Sequence, residues 1–277
     1  MAIKHTLSSL AVAATLALSA GTASAAFADF TVDPDMNAGT VNTFTADKIV
    51  GGYVEVITFT PTGVGVGTFN FGLRYTAGQF FADDGSTALT AGQTRVGVDY
   101  NLYALVTGSG TYSQSGNGST TFTTGSGGTL DFYYDAGANT SFVNSTTGGG
   151  IVDTTSLFAR NNAGTDLSLL ASGAAVSGSG TLDPSLSTCV GGINCGSFGQ
   201  TSNILLNADG KKFFTSPVPF YTMAFNSGQL NNFSPTGTQV INGSVDVVFG
   251  AVPEPSALAL VGLALVGLGL SRRRAAR

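Results

Sequence analysis

The chain has 277 residues, and charged side chains make up only 10% of it against a typical ~25%. Its single histidine, His5, lies near the N-terminus, so the body has no Ser-His-Asp triad, no Cys-His dyad and no His-ligated zinc or iron. Residues 26–251 hold six basic residues against fifteen acids, a formal charge of −9, which argues against nucleic-acid binding.

In chain order, the first segment has the three parts of a secretory signal: Lys4, an apolar run from Leu7 to Ala20, and small residues at Ala23-Ser24-Ala25. Cleavage after Ala25 makes Ala26 the new N-terminus. The run is short for a bilayer core of ~30 Å, so a cleaved signal helix over 1–25 is expected rather than a first membrane span. Asp33-Pro34-Asp35-Met36-Asn37 then sets oxygen ligands at alternate positions, which suits calcium. Gly39 and Phe44 break the EF-hand pattern, however, and a turn explains the segment equally well. Asp83-Asp84-Gly85 is most simply a turn. No cofactor is expected, calcium being the one ion left open, and no metal ligands are assigned.

Alternation dominates the body. Phe69, Phe71, Leu73 and Tyr75 share one strand face, and Val96, Val98, Tyr100, Leu102, Ala104 and Val106 repeat the pattern. Further strands are predicted over 53–60, 130–134, 167–171, 220–225 and 245–249, with Gly, Asn, Asp and Pro between them. Glu55, the body's one glutamate, is read as pointing outward. Two stretches, 108–129 and 137–150, are so rich in Gly, Ser and Thr that flexible loops and edge strands are both open readings. Many short strands joined by turns predict a single all-β domain over 26–251, an antiparallel, jelly-roll-like β-sandwich.

Cys189 and Cys195 are the only cysteines. In an oxidising compartment they are expected to form a disulfide across a tight Gly-rich loop. No pair of carboxylates with aromatic neighbours marks a glycosidase cleft, so no catalytic residue is assigned. Tryptophan is absent, which removes the commonest sugar-stacking platform, although eight tyrosines remain.

The C-terminal segment, 252–277, has its own logic. Pro253-Glu254-Pro255 cannot be helical throughout. An uncharged run from Ser256 to Leu270 predicts a short transmembrane helix, and Arg272, Arg273, Arg274 and Arg277 form a cytoplasmic basic cluster by the positive-inside rule. This order of parts closely resembles the PEP-CTERM sorting signal. The resemblance implies recognition by an exosortase, a membrane protease, with the inner membrane as a transient station on the way to the surface or matrix of a Gram-negative, exopolysaccharide-making cell. Blocks such as FTVDPD (30–35), SGSGTLDPSLS (177–187), GINCGSFG (192–199) and the long run 213–249 also resemble flocculation-associated PEP-CTERM proteins. That resemblance implies a non-enzymatic protein of flocs or biofilm, with exopolysaccharide or another matrix component as partner. A secreted polysaccharide-modifying enzyme and a calcium-stabilised surface-layer subunit are the alternatives.

Overall fold

The computed structural model describes residues 27–36, 42–144, 158–161, 167–218, 220 and 222–250. The expected signal, with Ala23, Ala25 and Ala26, and the expected tail, with Pro253, Glu254, Pro255 and the four arginines, lie outside these residues, as does Asn37. The elements are β1 (Phe30–Val32), β2 (Phe44–Ala46), β3 (Lys48–Gly63), β4 (Val66–Ala82), β5 (Thr87–Ala88), α1 (Ala91–Thr94), β6 (Tyr100–Gln114), β7 (Thr120–Thr124) and β8 (Gly127–Ala136). They continue with β9 (Ser141–Asn144), β10 (Phe158–Asn161), β11 (Leu167–Leu182), β12 (Gly196–Leu206), α2 (Gly210–Phe213), β13 (Phe214–Ser216), β14 (Thr222–Ser227) and β15 (Gly237–Gly250).

Alternation is confirmed, but the sandwich is not. The strands close into one antiparallel barrel of eight positions, β3, β4, β6, β7/β8, β11, β12, β14 and β15, with β15 returning to pair with β3. β7 and β8 take successive stretches of one position, each flanked by β6 and β11. The physical reason lies in strand length and pairing. β3, β4 and β11 run 16, 17 and 16 residues, long enough to coil, and β4 pairs with β6 from Val66↔Ser113 to Thr76↔Tyr103. A sheet that meets itself has its two halves facing across one interior and no open edge, and the small sheets β13-β1-β2 and β9-β10 are additions to it. The expected membrane-spanning helix over 256–270 lies outside the described residues; among those described no helix is long and apolar enough to cross a membrane, and α1 and α2 have four residues each.

One face of every strand fills the barrel. On β3 that face is Tyr53, Glu55, Ile57 and Phe59; on β4 it is Phe69, Phe71, Leu73 and Tyr75; on β15 it is Ile241, Val245, Val247 and Phe249. Apolar inside and hydroxyl-rich outside is the reverse of a lipid-embedded barrel. Two aromatic clusters stop the ends. At one, Phe30 on β1 meets Phe249 at 4.8 Å and Phe214 at 5.8 Å between ring centres. At the other, Phe59 meets Tyr112 at 5.4 Å and Phe233 at 5.7 Å.

Glu55 therefore faces inward, against the sequence-based reading. The outward phase of β3, with Val54 and Val56, looks equally apolar because the β9–β10 hairpin covers it from outside. Val56, Tyr103, Leu105 and Phe158 form a second small core there. Arg74 lies over the Phe142 ring at 4.5 Å and Arg160 over Tyr133 at 5.2 Å, closing the patch with cation–π contacts.

Candidate functional site

A groove of about 950 Å3 crosses the outer wall over β7, β11, β12, β14 and β15. Strand pairing aligns its outward side chains with those of the neighbouring wall, where Thr68, Thr111, Ser113 and Thr123 lie. Thr68, Thr111, Thr123 and Ser179 are successive register partners on β4, β6, β7 and β11, and the row continues through Gly199 and Asn226 to Asp246. Neighbouring strands lie ~4.8 Å apart, so the row sets hydroxyls and an amide at that spacing, with a gap at Gly199 and a carboxylate at its end. A parallel row, Ser113, Thr121, Thr181 and Ser197, runs beside it.

The groove's hydrogen-bonding groups are partly fixed. Ser227 Oγ donates to the Ser244 carbonyl at 2.7 Å and accepts from the Gln229 N–H at 3.2 Å. Thr188 Oγ1 donates to the Asn194 carbonyl at 3.0 Å, within the loop that the Cys189–Cys195 disulfide closes. Asp246 is the only ionisable residue of the lining, and Lys48 neutralises it at 3.5 Å. The surface is therefore one of neutral donors and acceptors, with few aromatic faces. Of the tyrosines, Tyr53, Tyr75, Tyr100, Tyr112 and Tyr134 face the core and Tyr103 lies under the β9–β10 hairpin. Phe198 is the one ring that reaches the groove.

Behind the groove lies a cavity of about 70 Å3 inside the barrel. Phe69, Phe71, Phe122 and Phe225 contribute rings to it, and Glu55, Gln200, Ser179 and Thr124 are its polar lining. Leu73 and Ile241 flank Glu55 on the neighbouring strands. No hydrogen bond or ion pair reaches Glu55 from the described residues, and burial alone pushes its carboxyl up to about 7. Burial, and then the Glu55 charge, hold the Tyr53 phenol above its ordinary value. Gln200 Nε2 spans 3.5 Å to Ser202 Oγ, a contact at the limit of a hydrogen bond. Groove and cavity share Ser179, Gly180, Phe198 and Gly199. The wall between them there is the paired backbone of β11 and β12.

The segment weighed for calcium is a turn in the structure. Asp35 N–H donates to Asp33 Oδ1 at 3.2 Å, Met36 N–H donates to the Asp33 carbonyl, and Asn42 Nδ2 donates to Asp35 Oδ2. In the Asp83-Asp84-Gly85 turn the Gly85 N–H donates to Asp47 at 3.1 Å. Among the described residues no group of three or more His, Cys, Asp or Glu side chains is placed to hold a metal ion.

A family model described as the PEP-CTERM protein-sorting motif matches residues 251–274. The chain carries a PEP-CTERM sorting motif. The match takes in Pro253, Glu254, Pro255, Arg272, Arg273 and Arg274, while Arg277 falls beyond it. The motif makes this an exported protein addressed to an exosortase and bound for the cell surface through a membrane-anchored intermediate. No curated protein and no solved structure matches the chain. The PEP-CTERM motif begins one residue after β15 ends, so the sorting signal follows directly on a barrel strand.

Sequence reasoning singled out none of the groove residues. Their signal was present as alternation within 177–187 and 192–199, but one Ser or Thr in so hydroxyl-rich a chain carries no distinguishing chemistry. Glu55 was noticed and placed on the wrong face; its register with Tyr53, Ile57 and Phe59 was the usable clue.

Proposed function

We propose that this is a non-enzymatic surface or matrix protein that promotes cell aggregation, as in flocs or biofilm, by associating with exopolysaccharide along the outer groove. The observation that carries the reading is the groove's chemistry: rows of neutral hydroxyl and amide groups at strand spacing, with the single carboxylate neutralised by Lys48. Such a surface matches the alternating hydroxyls of a polysaccharide and offers nothing to a polyanion. All of the lining except Thr121 and Thr188 falls in the sequence blocks that resemble flocculation-associated proteins. A glycosidase would need two carboxylates across one cleft. Asp246 instead pairs in register with Val50, five residues along β3 from Glu55, and points to the opposite side of the wall.

The test is Thr181→Leu, which removes a hydroxyl at an exposed outward position of the groove. The variant should fold as the wild type by circular dichroism and bind the cell's own exopolysaccharide about tenfold more weakly, about 1.4 kcal/mol. Cells carrying it in place of the wild type should form smaller sedimenting aggregates at unchanged polysaccharide output. Unaltered binding and aggregation would remove the groove from the account.

A further inference from the structure

We propose that the barrel interior is a binding site for a small organic cation, an alkylammonium ion held by the Glu55 carboxylate within the rings of Phe69, Phe71, Phe122 and Phe225. Three observations converge on it. Glu55 sits in register between Leu73 and Ile241, both core residues, and no described residue donates a hydrogen bond or an opposite charge to it. Glu55 is only partly exposed, and a largely desolvated carboxylate without a partner is costly unless something compensates it. Six phenylalanine rings line the same space, Phe198 and Phe233 among them, and the negative faces of aromatic rings favour a cation, most of all a desolvated one. The cavity's size fits a small occupant: about 70 Å3 is several times the ~10–15 Å3 that one water needs on this measure, room for a small organic ion. An anion is repelled by Glu55, and an apolar guest would leave it unpaired.

The cavity lies next to the groove. Ser179 pairs with Gly199 and Gly180 with Phe198 across β11 and β12, and these four residues border both groove and cavity. The paired backbone of these two strands, with the Phe198 ring against it, separates groove from cavity. The ring is partly exposed and leans on Tyr53 at 5.4 Å. Of the residues lining the cavity Glu55 alone ionises near neutral pH; Tyr53, on the same strand face, stays a neutral phenol. This site does not depend on whether a polysaccharide occupies the groove.

The test uses the exported protein purified from its own cells and trimethylammonium chloride as the probe. Potassium chloride controls for ionic strength, and 2-propanol serves as a neutral comparator of equal heavy-atom count. At pH 8 trimethylammonium should raise Tm above the potassium chloride control, and 2-propanol should not. Calorimetric affinity should be about tenfold weaker at pH 6 than at pH 8, because only the ionised fraction of Glu55 binds, and Glu55→Gln should lower the pH 8 affinity at least as much. No Tm rise at pH 8, an equal rise with 2-propanol, or undiminished binding by folded Glu55→Gln would each overturn the proposal. Should Glu55→Gln fail to fold, the wild-type pH series decides, and an affinity flat from pH 6 to pH 8 overturns it.

Discussion

At the scale of single residues, Glu55 ties stability to pH in an unusual direction. Its carboxyl titrates at 4.5 when unperturbed and at about 7 in the barrel. Between those values the folded chain holds a proton that the unfolded chain has released, so stability falls as pH rises through that window and the loss is complete above pH 7. The penalty is on the order of 3 kcal/mol. Glu55→Gln removes it: urea midpoints of the variant should exceed those of the wild type at pH 8, and the gap should narrow towards pH 5. Parallel pH profiles for the two proteins would show that Glu55 is solvated. The orientation of Glu55 was hard to read because both phases of YVEVITF are apolar. Val54 and Val56 compete with Tyr53, Ile57 and Phe59, and only the hairpin packed over Val56 explains why the former are outside.

At the scale of elements, glycines on β6 make room for rings on β4. Phe71 pairs in register with Gly108 and Phe69 with Gly110. A Cβ on Gly108 would stand 2.5 Å from the Phe71 ring, and one on Gly110 would stand 2.6 Å from Phe69. Gly108→Ala should therefore force Phe71 into the cavity and destabilise the barrel by about 1–3 kcal/mol. Phe71→Leu in the same chain should recover part of that loss in denaturant midpoints; equal losses in single and double variants would mean that the contact is not responsible. The Cys189–Cys195 loop gives a second expectation at this scale. It closes so few residues that opening it should cost only about 2 kcal/mol from chain entropy. Reduction should lower Tm modestly without melting the barrel.

The same glycines explain which strands were legible. Alternating runs such as 69–75 and 130–134 were visible, because large apolar side chains mark every second position. β7, within the Gly/Thr-rich stretch, and the distal half of β11, SGAAVSGSG, were not. In β7 every position but Phe122 is Thr, and over 173–180 of β11 the inward positions are Gly or Ala, so alternation carries little hydropathy contrast. The predicted strand over 96–106 also began too early. Arg95 and Gly97 take positive φ of 63° and 74° after α1, and Val98 is 55% exposed. The turn breaks the run that hydropathy alone makes continuous.

At the scale of the whole molecule, closure is the property that local pattern cannot reveal, since strands of a sandwich and of a barrel alternate alike. What decides between them is which strands pair, and here β15 completes the ring by pairing with β3 from Gly237↔Phe59 to Val248↔Lys48. This gives the C-terminal boundary a physical limit. β15 ends at Gly250 and the PEP-CTERM motif starts at residue 251, so processing has almost no spacer to work in. Phe249 is buried, pairs with Met223, and packs on Phe30, Phe214 and Phe220 in the aromatic plug. Losing a buried Phe side chain costs about 3–5 kcal/mol, a large share of a marginal folding free energy of ~5–15 kcal/mol. Mass spectrometry of the protein collected outside the cell should therefore find chains that retain Gly250. A chain ending at Val247 should melt well below one ending at Gly250. Equal melting temperatures for the two would mean that the plug does not need the end of β15, and that the barrel sets no limit on where the sorting motif is cut.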